Sequence, residues 1–358
     1  MDKYLWPDKE QIMAYVVDNK NILDHKISTQ YECVYTEDED GNPDELFANE
    51  GGFGVAFLMK NRFNGEELCF RIWTKDVNII DPFAKLSERL ELITNFLRKA
   101  RLRYFLKDFT YLPKALNVGS HILPGVSMTW VDGMSLAEYI QENASSPRTI
   151  ERLADDFLKM CRELRSKGIS HGDLSCNNIM IISNGEIRLI DYDSVYVPSM
   201  GNKYYQVTAG TRGFQQSYRM ANSPKLKASP YDDNFSQQVI YLSLLVICQK
   251  PELGEFVDNE LLFTQEDFYN EESLIKNPYN VYNKIVAIND DIIQMLLDEL
   301  RKSITCPYDK VRSIVEIMDS YKPRVVWGAY CGTCGHHYEN LVDKFCPDCG
   351  KKREIFRS

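Results

Sequence analysis

Residues 171–193 constrain the fold of this chain more than any other stretch of the sequence. Two short apolar runs, 179–182 and 186–190, flank an Asn-Gly pair, which is a strong signal for a tight β-hairpin. Asp173 and Asn178 lie on the loop that enters this hairpin, and Asp191 follows its exit. The hairpin therefore brings three oxygen-bearing side chains together at one end of a rigid β element.

This set of side chains suits phosphoryl transfer. A carboxylate such as Asp173 can accept the proton of an attacking hydroxyl group, while Asn178 and Asp191 can hold magnesium ions. The motifs His-Gly-Asp at 171–173 and Asp-Tyr-Asp at 191–193 resemble the catalytic loop and the metal-binding motif of the protein-kinase superfamily. Each motif is short, so the resemblance depends on their order and on the hairpin between them.

Composition narrows the class of protein. The 358 residues are 44% hydrophobic and 26% charged, which is typical of a globular protein. The longest apolar run, 239–248, is too short to span a bilayer, and the N-terminus lacks the pattern of a secretory signal. We therefore expect a cytoplasmic protein without a membrane partner. The net charge of −10 also argues against a nucleic-acid partner.

A glycine-rich segment precedes the catalytic motif, as it does in kinases. Gly51, Gly52 and Gly54 would let backbone N–H groups approach phosphates closely, although such a cluster is also typical of a tight hairpin. Phe53 occupies the aromatic position at the tip of the loop. Asn49 stands where the first glycine of a kinase loop would be, which predicts an altered tip.

The run 68–73 resembles the third kinase strand, where a lysine normally holds the α- and β-phosphates. This chain has Arg71 there, a permanent and bidentate phosphate ligand with a different geometry. The predicted helix from about 82 to 101 would supply its acidic partner, and the spacing does not choose between Glu88 and Glu91. Both glutamates could equally be ordinary surface residues.

The run 126–133 is predicted to be a buried strand that leads into a short connector. By resemblance it is the fifth strand and hinge of a kinase, with Met128 at the back of the adenine pocket. The backbone from Thr129 to Val131 would then face the base, and Ser135 would lie near the ribose. A methionine on a strand is also typical of an ordinary core position.

Two segments after the hairpin extend the resemblance. Residues 210–218 resemble the substrate-docking end of a kinase activation segment, although the usual Ala-Pro-Glu is absent. Asp233 opens an apolar helix, and the corresponding kinase aspartate anchors the backbone of the catalytic loop. An N-terminal helix cap is the other reading of Asp233, and the two roles are compatible.

Four cysteines near the C-terminus predict a metal site. Cys331, Cys334, Cys346 and Cys349 form two Cys-x-x-Cys pairs, each followed by glycine. Four thiolates at this spacing are typical of a closed, structural zinc site. A redox Cys-x-x-Cys is the alternative, which the presence of two pairs disfavours.

The resemblance covers roughly residues 45–320, and the chain is most similar to bacterial serine/threonine-kinase-like proteins, here with a C-terminal zinc ribbon. It implies an α+β, two-lobed fold with an antiparallel β N-lobe and a mainly helical C-lobe. The predicted parts are an N-terminal extension (1–45), the N-lobe (46–131), the C-lobe (132–322) and the ribbon (323–358). The implied cofactors are ATP, Mg²⁺ and Zn²⁺. The implied partners are protein substrates, together with a cognate phosphatase or regulatory protein.

Two departures bear on activity. Gly172 replaces an arginine that pairs with an activation-loop phosphate in many kinases, and Ser175 replaces a lysine that neutralises the transferred phosphoryl group, which predicts slow turnover. Three functions stay open: an active serine/threonine protein kinase, a nucleotide-binding pseudokinase scaffold, and a small-molecule phosphotransferase. The glycine-rich loop and residues 210–218 favour a protein substrate. The retained Asp173, Asn178 and Asp191 favour activity.

Overall fold

The structure is a computed structural model, and it describes residues 6–51, 54–75, 85–223, 225–258, 260–277, 281–321, 325–327, 330–338, 345–352 and 355–357. It has the expected α+β, kinase-like fold, in which an antiparallel β-sheet lobe is followed by a helical lobe. Among the described helices, none is long and apolar enough to cross a membrane.

The N-terminal lobe is built on one antiparallel sheet. Its strands follow each other along the chain as β1 (Tyr31–Cys33), β4 (Ala48–Glu50), β5 (Gly54–Asn61), β6 (Glu67–Trp73), β7 (Thr110–Val118) and β8 (His121–Thr129). In space the order is β1-β5-β6-β8-β7, and β4 also pairs with β5. Strands β2 (Tyr35–Glu37) and β3 (Pro43–Leu46) form a separate hairpin.

The segment that precedes the sheet packs onto it. Helices α1 (Lys9–Val16) and α2 (His25–Gln30) contribute Ile12, Val16 and Ile27 to the core that also contains the apolar side chains of β5 and β6. Strand β1 completes this arrangement by pairing with β5. Residues assigned from the sequence to an extension therefore bury apolar surface within the N-terminal lobe.

Helix α3 (Leu86–Lys99) packs against β7 of the N-terminal lobe. The sequence predicts this helix over about 82–101, and the first of these residues lie outside the described part. Its apolar stripe, Leu86, Leu90, Ile93 and Leu97, is buried. This face joins the large core of the C-terminal lobe.

The predicted hairpin is present at the front of the C-terminal lobe. Strands β10 (Ile179–Ile182) and β11 (Ile187–Leu189) pair antiparallel, and β9 (Gly133–Ser135) adds a third strand beside β10. Gly185 takes a φ of +82° in the turn, and its N–H donates to the Ile182 carbonyl at 2.7 Å. The positive φ explains why glycine follows Asn184 there.

Helices form the rest of the C-terminal lobe. They are α4 (Leu136–Asn143), α5 (Pro147–Lys167), α6 (Ser217–Asn222), α7 (Asn234–Gln249), α8 (Glu271–Ile275), α9 (Val281–Val286), α10 (Asp291–Thr305) and α11 (Ile314–Ser320). The buried helix α7 packs against α5, α10 and α11. Strands β12 (Val325–Trp327) and β13 (Ile355–Arg357) pair antiparallel in the C-terminal segment.

Candidate active site

The side chain of Asp233 anchors the backbone of the catalytic loop. Its carboxylate accepts hydrogen bonds from the His171 N–H at 2.5 Å and from the Gly172 N–H at 2.8 Å. On the opposite side, His171 Nε2 lies 2.8 Å from the Ile190 carbonyl oxygen, which ties the loop to the exit of the hairpin. The anchoring contact expected of Asp233 is therefore present.

Gly172 has a conformation that other residues would adopt only with strain. Its φ is +79°, and a Cβ built there would collide with the Ser194 carbonyl oxygen. Behind the loop, the buried Arg219 donates to the Gly172 carbonyl and, at 3.0 Å, to the Asp232 carbonyl. Sequence reasoning missed Arg219, because nothing in its sequence neighbourhood distinguishes it from a surface residue.

Asp173 and Asn178 lie together at the front of the loop. Asn178 Nδ2 donates to the Asp173 carbonyl at 2.8 Å, so its amide oxygen is left as a possible metal ligand. Asp173 Oδ1 accepts hydrogen bonds from the Thr211 N–H at 2.6 Å and from Thr211 Oγ1 at 2.9 Å. The segment predicted to dock substrate is thus fastened to the carboxylate predicted to act on a hydroxyl group.

Arg71 meets both aspartates of the Asp-Tyr-Asp motif. Its Nη1 lies 2.8 Å from Asp191 Oδ1 and 3.0 Å from Asp193 Oδ2. Asp191 has a φ of +60°, which is uncommon outside glycine and typical of a residue held in place by its surroundings. Burial raises the pKa of the Asp193 carboxyl to about 6, even though the Arg71 guanidinium beside it lowers that pKa.

The two helix glutamates do not provide the acidic partner of Arg71. Glu88 is engaged by Lys85 at 3.3 Å and by the Tyr204 hydroxyl at 3.3 Å, and Glu91 is exposed. Arg71 instead pairs with Asp191 and with Asp193, the second carboxylate of the 191–193 motif. The kinase pattern does not assign Asp193 to this role.

A cavity of about 340 Å³ lies between the two lobes, large enough for a small ligand. Of the predicted nucleotide-binding residues, the cavity is lined by Gly51, Gly54, Arg71, Met128, Thr129, Val131, Asn178 and Asp191. The cavity is also lined by Trp130, within the predicted 129–131 connector, and by Asn49, Glu50 and Ala56 in and around the glycine-rich segment. The lining residues not predicted for it are Cys69, Asn177, Met180 and Ile190. Gly52 and Phe53 lie outside the described residues.

Ser135 is not among the residues that line this cavity, and its predicted position near a ribose stays a prediction. It is the N-cap of α4: its hydroxyl accepts a hydrogen bond from the Glu138 N–H at 3.2 Å, and the Glu138 carboxylate accepts one from the Ser135 N–H at 2.7 Å. This capping box satisfies two backbone donors at the start of α4.

A smaller cavity of about 220 Å³ adjoins the first, and the two share Arg71 and Asp191. The other residues around it are Asp173, Asp193, Ser194, Thr208, Gly210 and Thr211. One cavity could hold a nucleoside, and the other places a carboxylate beside the hydroxyl of a threonine. A phosphoryl group that passes from one cavity to the other would cross the wall that they share at Arg71 and Asp191.

The four C-terminal cysteines form a separate cluster. Their Sγ atoms lie within 4.8 Å of one another, with Cys331 and Cys349 at 3.5 Å and Cys334 and Cys346 at 3.5 Å. Tetrahedral coordination by Zn–S bonds of about 2.3 Å requires S–S separations of roughly 3.8 Å. The cluster is therefore compatible with a zinc ion.

Comparison with known proteins gives a partial match. Residues 97–199 match the model of the RIO domain family, a stretch that runs from the end of α3 through the catalytic loop and the 191–193 motif. The chain is also similar to serine/threonine-protein kinase shk2 of Schizosaccharomyces pombe, with 23% identity over 188 residues. A second similarity, 33% identity over 67 residues, is to serine/threonine-protein kinase pakA of Talaromyces marneffei.

These similarities are limited in extent. The aligned part is 49% of this chain and 30% of shk2, and 19% of this chain and 10% of pakA. The chain thus spans less than a third of the length of the curated relatives it matches. The predicted bacterial origin stays a prediction. The fold and the matches together show a chain with a protein-kinase-like fold, of which residues 97–199 match the RIO domain model and which has weak similarity to serine/threonine kinases.

Proposed function

We propose that this chain transfers the γ-phosphoryl group of ATP to serine or threonine hydroxyls of a protein substrate. The position of Asp173 carries the proposal, because its Oδ1 already accepts a hydrogen bond from a threonine hydroxyl, that of Thr211, at 2.9 Å. A substrate hydroxyl in the same place would be within reach of this carboxylate. Asp173 would orient the hydroxyl and accept its proton as the oxygen attacks the γ-phosphorus and ADP leaves.

The larger cavity is proposed to hold the nucleotide. Met128 and the backbone from Thr129 to Val131 would surround the base, and Gly51 and Gly54 of the glycine-rich loop would face the phosphates. Arg71 would pair with phosphate oxygens at the shared wall of the two cavities. The lining of the larger cavity by most of these residues supports this assignment.

Asn178 and Asp191 are proposed to hold magnesium. Amide and carboxylate oxygens are the ligands that this ion prefers, both residues line the nucleotide cavity, and the Asp191 side chain is 40% exposed. When bound, magnesium neutralises charge on the phosphates. The four-cysteine cluster is proposed to hold one zinc ion that serves folding or docking of the ribbon rather than chemistry.

We also propose a cytoplasmic protein that works on protein substrates and is paired with a cognate phosphatase or regulatory protein. The docking of Thr211 on Asp173 supports a protein substrate, because it gives residues 210–218 a fixed position beside the proposed acceptor site. The net charge of −10 argues against nucleic acid as the partner.

A pseudokinase scaffold is the second candidate, and one observation favours it. Ser175, at the position of the kinase lysine that neutralises the transferred group, is fully buried and lines neither cavity. Among the described residues that line the smaller cavity, Arg71 is the one cationic side chain. A single cation that is already shared between two carboxylates would slow the transfer step.

The deciding experiment compares wild type with Asp173→Ala in an assay with radiolabelled ATP. Phosphatase-treated wild type should label itself or a generic basic acceptor protein on serine or threonine without a lag. Asp173→Ala should lower the rate by about 10² to 10⁴ and leave ATP affinity almost unchanged, because the carboxylate acts on the acceptor. Glu91→Ala is the matched control, since this carboxylate is exposed and lines neither cavity.

The outcomes separate the candidate functions. Labelling of a choline or aminoglycoside acceptor in place of protein would assign the chain to the small-molecule phosphotransferases. Wild type that binds ATP and labels nothing at any metal tested would contradict the catalytic proposal and support the scaffold.

A further inference from the structure

The contacts of Arg71 differ from those expected of a kinase phosphate-binding residue. Arg71 lies in the middle of β6, between Ala56 of β5 and Val126 of β8 in the sheet register. Only a tenth of its side chain is exposed, and one nitrogen, Nη1, is shared between Asp191 and Asp193. Its position is therefore determined by the two carboxylates of one short motif.

Asp193 is itself held from β6. Trp73 Nε1 donates to Asp193 Oδ2 at 3.2 Å, the same oxygen that lies 3.0 Å from Arg71 Nη1. Because side chains alternate along a strand, Arg71 and Trp73 lie on one face of β6. Trp73 is fully buried, and its own carbonyl accepts a hydrogen bond from Trp6 Nε1 at 3.0 Å. A carboxylate held by two groups of one rigid strand has little freedom to move.

Helix α3 faces the same segment with a guanidinium instead of a carboxylate. Arg89 is fully buried and donates to the carbonyls of Ser194 at 3.0 Å, Val195 at 3.1 Å and Tyr205 at 2.5 Å. The neighbouring Glu88 is engaged by Lys85 and Tyr204. The helix therefore binds the segment after Asp193 and does not reach Arg71.

We propose that Asp193 is the positioning residue for the phosphate-binding group Arg71, in place of a carboxylate on helix α3. This inference rests on the proposed function, since it assumes that Arg71 meets the phosphates of ATP. It makes nucleotide affinity depend on the pairing of residues 71 and 193 and independent of the glutamates of α3. Nη1 of Arg71 has two carboxylate partners. Arg71 therefore keeps its contact with Asp193 when Asp191 binds another group.

The test is a double-mutant cycle measured by calorimetric binding of ATP, ADP and adenosine. Asp193→Asn should weaken ATP binding by about tenfold, as expected for a hydrogen bond between charged groups. Adenosine, which has no phosphate, should bind as in wild type. In an Arg71→Met background, Asp193→Asn should change ATP affinity by less than about twofold, because the group it positions is gone.

Binding in EDTA separates this role from metal ligation. Metal-free ATP should show the same loss of affinity in Asp193→Asn, since the effect acts through Arg71. A loss that appears only with magnesium would instead make Asp193 a metal ligand and overturn the proposal. Adenosine binding also reports whether the variant is folded. If Asp193→Asn does not fold, Trp73→Phe, which removes one donor to Asp193 and keeps an aromatic ring, should weaken ATP but not adenosine.

Glu88→Gln and Glu91→Gln are the controls on helix α3. Both should bind ATP as wild type does, whereas a loss similar to that of Asp193→Asn in either variant would contradict the inference. The proposed function would still hold in that case, provided that the wild-type protein transfers phosphate. Wild type that fails to bind ATP would overturn the inference and the proposed function together.

Discussion

Asp233 links a buried helix to the loop that carries the proposed catalytic carboxylate. It is 1% exposed, and its two oxygens accept the N–H groups of His171 and Gly172. Its negative charge is desolvated, and two backbone donors in the interior depend on it. The shape of the catalytic loop therefore depends on one carboxylate 60 residues further along the chain.

Replacing Asp233 by Asn tests this dependence. The amide oxygen can accept a hydrogen bond from one of the two backbone N–H groups. The NH₂ group then faces the other N–H, and two donors cannot form a hydrogen bond. We expect a loss of about 1–3 kcal/mol in the free energy of unfolding, together with a large fall in phosphate transfer. Chemical denaturation and the radiolabelled-ATP assay measure the two effects.

Asp290→Asn is the matched control for that substitution. Asp290 also accepts two backbone N–H groups, those of Ile292 and Ile293, but at the partly exposed start of α10. Asparagine caps helices about as well as aspartate does, so stability should change little. If the two variants lost the same free energy of unfolding, neither the burial of Asp233 nor its contact with the catalytic loop would explain its contribution to stability.

At the residue scale, sequence patterns identified the side chains that belong to continuous motifs. Asp173, Asn178 and Asp191 could be named because their order along the chain is itself the signal. Arg219 and Trp73 could not, since each acts through a contact with a residue more than 40 positions away. Ser135 is a helix cap in the structure, and its predicted role near a ribose stays a prediction.

At the element scale, helix α3 fastens the segment that follows the 191–193 motif. Three main-chain carbonyls from residues 194–205 receive hydrogen bonds from Arg89. Carbonyl groups in a buried segment need donors, and here a side chain supplies them where regular secondary structure does not. The helix and the segment therefore form one structural unit.

Arg89→Met should separate the helix from that segment. The substitution keeps the apolar stem and removes the donors, so we expect about 2–4 kcal/mol lower stability from carbonyl groups left unsatisfied. Trypsin should then cleave faster after the exposed Lys203. Arg98→Met, on the exposed side of the same helix, should change neither denaturation nor cleavage.

The outcome that contradicts this picture is a stable Arg89→Met protein with unchanged cleavage at Lys203. It would mean that packing alone holds residues 194–205.

The elements themselves were partly predictable. The 179–189 hairpin and the buried face of α3 follow from turn chemistry and from a 3.6-residue period, both of which are local signals. The packing of α1 and β1 onto the sheet did not follow, because strand pairing between residues 31–33 and 59–61 is a non-local choice. Short amphipathic segments of this kind look the same in an extension and in a core.

At the scale of the whole molecule, the cysteine cluster has a small core of its own. Cys331, Tyr338 and Cys346 form a cluster of buried residues distinct from the two large cores of the lobes. These three side chains, the buried ones among the described residues of the cluster, bury little apolar surface, which supports the proposed metal ion. Zinc binding can supply on the order of 10–16 kcal/mol to such a module.

We therefore expect metal analysis of the purified chain to give one zinc ion per molecule. Cys334→Ser should lose the metal, whereas Cys306→Ser, which changes a half-buried cysteine outside the cluster, should keep it.

Removal of residues 325–358 should leave phosphate transfer largely intact. A folded truncation without activity would give the ribbon a catalytic role, and metal-free wild type would remove the zinc assignment.

Gly172 also limits how this protein can change by mutation. An arginine at this position could respond to a phosphate on the activation segment, yet any side chain there would need a φ of +79° and would collide with the Ser194 carbonyl. That carbonyl is in turn held by Arg89. Phosphate-dependent control through position 172 would therefore also require the backbone at Ser194, and with it the contact to Arg89, to move.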